Sequence, residues 1–251
     1  MLGKLRNKAF TFLLNHKTPG LYQFCKRYID EWSGNNNCNF HSNGESYLLT
    51  LYNNKIRRGV IFDVGASVGD YSRMLLDFND SLHIFCFEPS KATFSILASQ
   101  SWPENVVLNN FALDESGGEK PLFLSADGSG LNSFYKRTGL EIYGLKSFET
   151  SELVKTETLD NYCIQKNIDQ IDLLKVDVER HELAVFKGAR NMLSKGRIKQ
   201  IQFEYGGCNI DSRVLLKDIF EYFQDLDYSF YKLFPKELRP IKLYNQTLEN
   251  F

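Results

Sequence analysis

The chain has 251 residues, 43% of them hydrophobic, with 20 Phe and 13 Tyr, enough for the core of one sizeable α/β domain and short for two independent ones. Its 30 basic and 31 acidic residues leave a formal charge of -1, which excludes an overall pull toward nucleic acid. No stretch reaches the roughly 18 continuous apolar residues of a membrane span. Cys25, Cys38, Cys86, Cys163 and Cys208 are scattered without CxxC or metal-ligand spacing, which points to reduced thiols in a cytoplasmic protein.

In chain order, residues 1–32 read as helical with a break at Thr18-Pro19-Gly20, and Ser33 to Asn37 as a polar loop. Residues 1–44 thus form an N-terminal helical extension and loop. The basic, partly apolar segment 1–17 reads as a surface helix, with association at a membrane surface as the alternative. The main domain spans 45–251. Gly59–Val64 predicts a buried strand that runs into Gly65-Ala66-Ser67-Val68-Gly69, then a helix over Tyr71–Phe78. A glycine turn of this kind is expected to leave backbone N–H groups free and to let a flat or anionic cofactor part lie close to the chain.

Further strands are expected at His83–Glu88, Asn105–Asn110, Ile171–Val176 and Ile198–Tyr205, alternating with helices over Ala92–Gln100 and Glu182–Leu193. This alternation predicts an α/β fold, mostly parallel, with helices on both faces and ligands beyond the carboxyl ends of the strands. Asp114–Glu157 reads as an insertion with one strand pair that shapes the substrate site. A helix over Val214–Leu226 precedes two short strands, 228–233 and 241–244, read as an antiparallel edge hairpin.

Acidic residues gather at the strand ends. Glu88 lies 25 positions after Asp63, placed to accept hydrogen bonds from both hydroxyls of a ribose. Asp63 precedes the glycines and is expected to order the turn and approach the cofactor. The densest cluster is LLKVDVERHELAVFKGA, where Asp177, Glu179, His181 and Glu182 emerge as a strand turns into a helix. An imidazole suits a proton acceptor, so His181 is a candidate to deprotonate a hydroxyl. Glu204, ending IQFEYGG, is a further acceptor-binding or proton-accepting group. A hard metal held by Asp177 and Glu204 would lack a clear third ligand, so no metal is assigned.

Together IFDVGASVGDYS, FCFEPS, NNFALDESG, LLKVDVERHELAVFKGA and IQFEYGG resemble the FkbM-type methyltransferases, over about residues 59–207. The resemblance implies a Rossmann-like class I methyltransferase sheet, S-adenosyl-L-methionine as cofactor, and O-methylation of a sugar, glycan or natural-product hydroxyl. It places Asp63, Gly65, Ala66 and Gly69 in the cofactor loop, Glu88 on the ribose, and Asn110, Phe111 and Ala112 along the adenine. Asp177 and Glu179 would face the methyl-transfer region. The family pattern there is close to DVEGHE, so Arg180 replaces a glycine. Either it disturbs a position that needs positive φ or close substrate approach, or it recognises an anionic group on the acceptor.

In that scheme Asp177 or His181 takes the hydroxyl proton while Glu179 and Glu204 position the sugar. Tyr135, Tyr143 and Tyr205 are candidates to stack on it. An NAD(P)-dependent oxidoreductase is the alternative enzyme, but the turn lacks GxGxxG. A noncatalytic binding protein retaining the fold is the other alternative. A nucleic-acid methyltransferase lacks both a basic tract near the site and a [DNS]PP[YFW] sequence.

Overall fold

A computed structural model describes residues 2–35, 37, 39–53, 58–125, 131–136, 150–206 and 211–249. The chain divides into two compact units, one of residues 1–48 with 231–240 and one of 49–230 with 241–251.

The first unit opens with helices α1 (Leu2–Asn15) and α2 (Pro19–Ser33). Pro19 preorganises the first turn of α2, where its missing N–H costs nothing, and Thr18 caps it by accepting from the Leu21 N–H. A short helix α3 (Phe40–Asn43) and α4 (Glu45–Asn53) follow, the latter running on into the second unit.

The second unit holds the sheet. Its parallel strands are β1 (Val60–Val64), β2 (His83–Phe87), β3 (Val106–Asn109), β7 (Leu173–Val176) and β8 (Ile201–Phe203), in the order β3-β2-β1-β7-β8. The order reverses at β1, so the crevice for a ligand opens beyond the ends of β1 and its neighbours. In register, Phe62 lies beside Phe85 and Leu174, and Val64 beside Phe87 and Val176. That row is buried with Tyr162, Phe186 and Phe223 from α7 (Leu159–Lys166), α8 (Glu182–Gly188) and α10 (Leu216–Phe223). The opposite face carries Asp63, level with Cys86 and Lys175, and is met by Ser72 of α5 (Asp70–Phe78). Helix α6 (Lys91–Ser99) links β2 to β3.

Most expected elements are present. The helix expected over 182–193 is broken at Ala189 into α8 and α9 (Arg190–Ser194). Just before the break Gly188 packs against the chain, where an added Cβ would lie 2.0 Å from the Asp114 carbonyl oxygen. After β4 (Ala112–Leu113) the insertion supplies β5 (Gly118–Leu124) and β6 (Thr150–Glu157) as the antiparallel pair. The tail hairpin is β9 (Phe230–Phe234) and β10 (Glu237–Ile241), paired as its own two-stranded sheet. Its second strand begins earlier than expected because Pro235-Lys236 forms the turn, leaving Pro240 inside an edge strand where a missing N–H is tolerated.

Candidate functional site

The tips of β1, β2 and β7 border a cleft enclosing ≈ 540 Å³ of space that opens to solvent, lined among others by Gly65, Ser67, Glu88, Asp177 and Glu179. Its tightest point is Gly65. At φ 81°, with an added Cβ falling 1.8 Å from the Asp177 carbonyl oxygen, only glycine lets the first turn reach the β7 tip.

The N–H groups of Gly65, Ala66, Ser67 and Gly69 are engaged within the chain, which corrects for these four the expectation drawn from the glycines of the turn. Gly65 and Ala66 both donate to the Phe87 carbonyl at 3.0 Å, Gly69 donates to the Ala66 carbonyl, and Ser67 donates to the Glu88 carboxylate at 3.0 Å. Ala66 is buried, and Gly69 serves packing, since a Cβ there would meet Trp102 and Leu97 side-chain atoms at 2.6 and 2.7 Å.

Glu88 is buried in the cleft wall, its Oε2 accepting from Ser67 and its Oε1 from the Ser90 N–H at 2.9 Å. Burial pushes its carboxyl up to about 7, against these two donors. Each carboxylate oxygen carries a further lone pair that can accept a second hydrogen bond. Asn110 donates to the Glu88 and Pro89 carbonyls and so holds the β2 tip, and Phe111 packs edge-on against Phe87 at 5.6 Å. Ala112, with Leu113 and Leu122, gives the cleft an apolar wall.

Asp63 does not reach the cleft. It is fully buried, taking a hydrogen bond from Ser72 at 2.6 Å and an ion pair from Lys175 at 3.2 Å. The Lys175 ammonium also stands 3.5 Å from Asp177 Oδ2 and 5.0 Å from the Tyr71 ring centre. Asp63 therefore acts on the cleft through Lys175. Asp177 remains 38% exposed, its carboxylate held from beneath by a lysine.

The loop after β7 is strained. Glu179 has φ 50° and Arg180 φ 87°, a left-handed conformation that favours glycine. The Arg180 guanidinium is buried and pairs with Asp211 at 3.1 Å, away from the cleft lining. Glu182 accepts from the Arg180 N–H, and burial lifts its carboxyl to about 8, with the nearby Asp177 adding to the rise. His181 lies behind the cleft with both ring nitrogens engaged, Nε2 to Asp114 at 2.9 Å and Nδ1 to the Tyr135 hydroxyl at 3.2 Å. Although burial raises Asp114, its bonds to His181 and Lys120 outweigh this and hold it at about 2.

The structure thus brings Gly65, Glu88, Ala112, Asp177 and Glu179 to one cleft. Glu204 is exposed at the β8 tip outside the lining, and the Tyr205 hydroxyl donates to Glu249. Tyr143 lies outside the described residues. Among the described residues no three His, Cys, Asp or Glu side chains converge as a metal site.

Sequence reasoning missed Lys175 and Asp114. A lysine inside the apolar LLKV run, two residues from Asp177, was the available signal, because alternation puts both on one side of the strand. Insertion residues also close on the site: Phe134 lines the cleft and Ser133 donates to the Glu179 carbonyl at 2.8 Å.

The chain is 26% identical over 147 residues to the 2-O-methyltransferase NoeI of Sinorhizobium fredii, covering 55% of this chain and 60% of that protein. It is 28% identical over 164 residues to the hexuronic acid methyltransferase AglP of Haloferax volcanii, covering 63% and 62% respectively. The chain therefore spans about three fifths of the length of these curated relatives. A crystal structure of methyltransferase FkbM from Methylobacillus flagellatus KT aligns at TM-score 0.46 and 15% identity, covering 73% of this chain and 42% of that one. The model of the methyltransferase FkbM domain matches residues 63–230, more than half of the chain, and the protein belongs to that family.

Proposed function

We propose that this protein is an S-adenosyl-L-methionine-dependent O-methyltransferase acting on a hydroxyl of a sugar or glycan. The observation that carries the reading is the chemistry of the first turn. The N–H groups of residues 65, 66, 67 and 69 are consumed internally, which disfavours a dinucleotide pyrophosphate, while Glu88 still offers acceptors to a ribose. The residues fit an adenosine: a carboxylate with open lone pairs, a glycine no side chain can replace, and an apolar wall. The name of one relative, a hexuronic acid methyltransferase, supports a sugar acceptor, and that of the other, a 2-O-methyltransferase, supports transfer to oxygen.

The cofactor would supply an electrophilic methyl group on a sulfonium. Glu88 would hold the ribose, and Gly65 would let the first turn close on the β7 tip so that both border the cofactor. Asp177, a part-exposed carboxylate at that tip, would accept the hydroxyl proton at Oδ1 or Oδ2, and Lys175 would keep it oriented. Glu179, lining the same cleft, would position the sugar. His181 is less suited to the proton role because both ring nitrogens are occupied; it would position the loop by tying it to Asp114 and Tyr135. A cytoplasmic site of action is part of the proposal, supported by the buried free thiols of Cys86 and Cys163.

The test is transfer of a deuterated methyl group from the cofactor to a panel of glycans, including hexuronic acids, read by mass spectrometry. Asp177→Asn should lower kcat by about 100-fold or more while leaving cofactor affinity within a few fold. Labelled product at the wild-type rate from Asp177→Asn would refute its role, and binding of NAD but not of S-adenosyl-L-methionine would refute the reaction class.

A further inference from the structure

The first unit carries an apolar surface that the methyl-transfer chemistry does not use. Helix α2 has no buried residue, yet Tyr22, Phe24, Tyr28, Ile29 and Trp32 are each 59–72% exposed. At 100° per residue these side chains fall on one half of the helix, with Gln23, Lys26, Arg27 and Asp30 on the other. Helix α1 adds Phe10, Phe12, Leu13 and Leu14, each at least 49% exposed. So large a run of exposed aromatic and aliphatic side chains marks a docking surface.

Charge selects the occupant. Residues 1–29 contain six cations, Lys4, Arg6, Lys8, Lys17, Lys26 and Arg27, and no acidic residue; the first acid in the chain is Asp30. The rest of the chain holds all 31 acidic residues and 24 of the 30 basic ones. Face-to-face pairing of this surface in two copies would bring Lys8, Lys17, Lys26 and Arg27 of each copy together, with only Asp30 and Glu31 of α2 to offset them. A helix with aromatics on one face and basic residues beside it matches the interface of an anionic bilayer, where rings sit at the headgroup level and cations reach the phosphates. Among the described residues no helix is long and apolar enough to cross a membrane.

We propose that α1 and α2 dock this protein onto an anionic lipid bilayer, lying in the headgroup plane. The full chain would be floated with phosphatidylcholine vesicles, with and without about a third phosphatidylglycerol. Binding is expected to the anionic vesicles alone, accompanied by a blue shift in tryptophan emission that Trp32→Phe removes. Replacing Lys8, Lys17, Lys26 and Arg27 by Gln should lower the partition coefficient about fivefold per cation. Phe24→Ser and Trp32→Ser should each lower it about tenfold. All these positions lie outside the cleft, so melting temperature and cofactor binding serve as controls for folding.

No binding to anionic vesicles by well-folded protein would overturn the proposal. So would equal binding by the Gln variant, or a dimer in lipid-free solution whose Trp32 is already shielded. These outcomes are independent of whether methyl transfer is observed.

Discussion

Replacing Glu88 by Gln keeps the size of the side chain and removes its charge and one acceptor. In the native structure the Ser67 and Ser90 N–H groups each donate to a different carboxylate oxygen. A glutamine satisfies one and turns an NH2 toward the other, while the ribose loses one acceptor and the charge on the second. Two charge-assisted hydrogen bonds contribute roughly 1.5 to 3 kcal/mol each, so a net loss of about 3 kcal/mol, or about a hundredfold in Kd, is expected. The raised pKa adds a pH signature. Glu88 titrates at about 7, and the ribose hydroxyls bind its ionised form, so affinity should rise by up to tenfold per unit of pH toward 7 and then level off.

Binding near pH 7 should also release a fraction of a proton, visible by calorimetry in buffers of unlike ionisation enthalpy. Stability runs the other way. The folded protein keeps this proton up to about 7 and the unfolded chain releases it near 4.5, so the contribution is complete below 4.5 and lost as pH rises through 7. It amounts to on the order of 3 kcal/mol across that window. In Glu88→Gln both slopes should vanish. A variant Kd within threefold of wild type, or a wild-type heat of binding that does not depend on the buffer, would refute the ribose role.

Three further outcomes are expected. Lys175→Met leaves Asp63 charged and fully buried, and should cost about 3 to 5 kcal/mol in denaturant unfolding; adding Asp63→Asn should recover much of it, and a double variant no better than the single would refute the pairing. Gly65→Ala drives a methyl group into the Asp177 carbonyl and should abolish cofactor binding by calorimetry. Asp211→Asn strands the buried guanidinium of Arg180 and should cost about 3 kcal/mol; Arg180→Gly in that background should restore most of it, read as melting temperature, because it removes both the charge and the left-handed strain.

The order of strands and helices was legible because period and punctuation are local properties, and the turn after β1, the β2-tip carboxylate and the β7-tip cluster fall where the order places them. What stayed hidden depends on side-chain direction. Asp63 and Asp177 both lie near strand ends, yet one side chain is sealed under α5 and the other opens into the cleft. Arg180 was recognisable as a departure from glycine, and its φ of 87° shows the conformation a glycine would favour there. Its partner Asp211 was unforeseen because 31 residues separate them in sequence. His181 looked like a free base because Asp114 and Tyr135 approach it from the insertion side, with nothing local to announce them.

The buried Asp63–Lys175 pair bears on how the chain folds as well as on how the cleft is held. Strands β1 and β7 are neighbours in the sheet, but Val60 and Asp172, which bond across that seam, are 112 residues apart. Closing so long a loop is slow, and misaligned encounters between two apolar strands would compete with the native one. A slip of one residue would turn Lys175 to the opposite, apolar face of the sheet, away from Asp63 and among the phenylalanines. The desolvation cost of an unpaired ammonium makes such arrangements short-lived. The pair thus favours the native register over its neighbours, and the Asp177 backbone reaches its place beside Gly65, with its carboxylate beside Lys175, only where the two half-sheets have joined in that alignment.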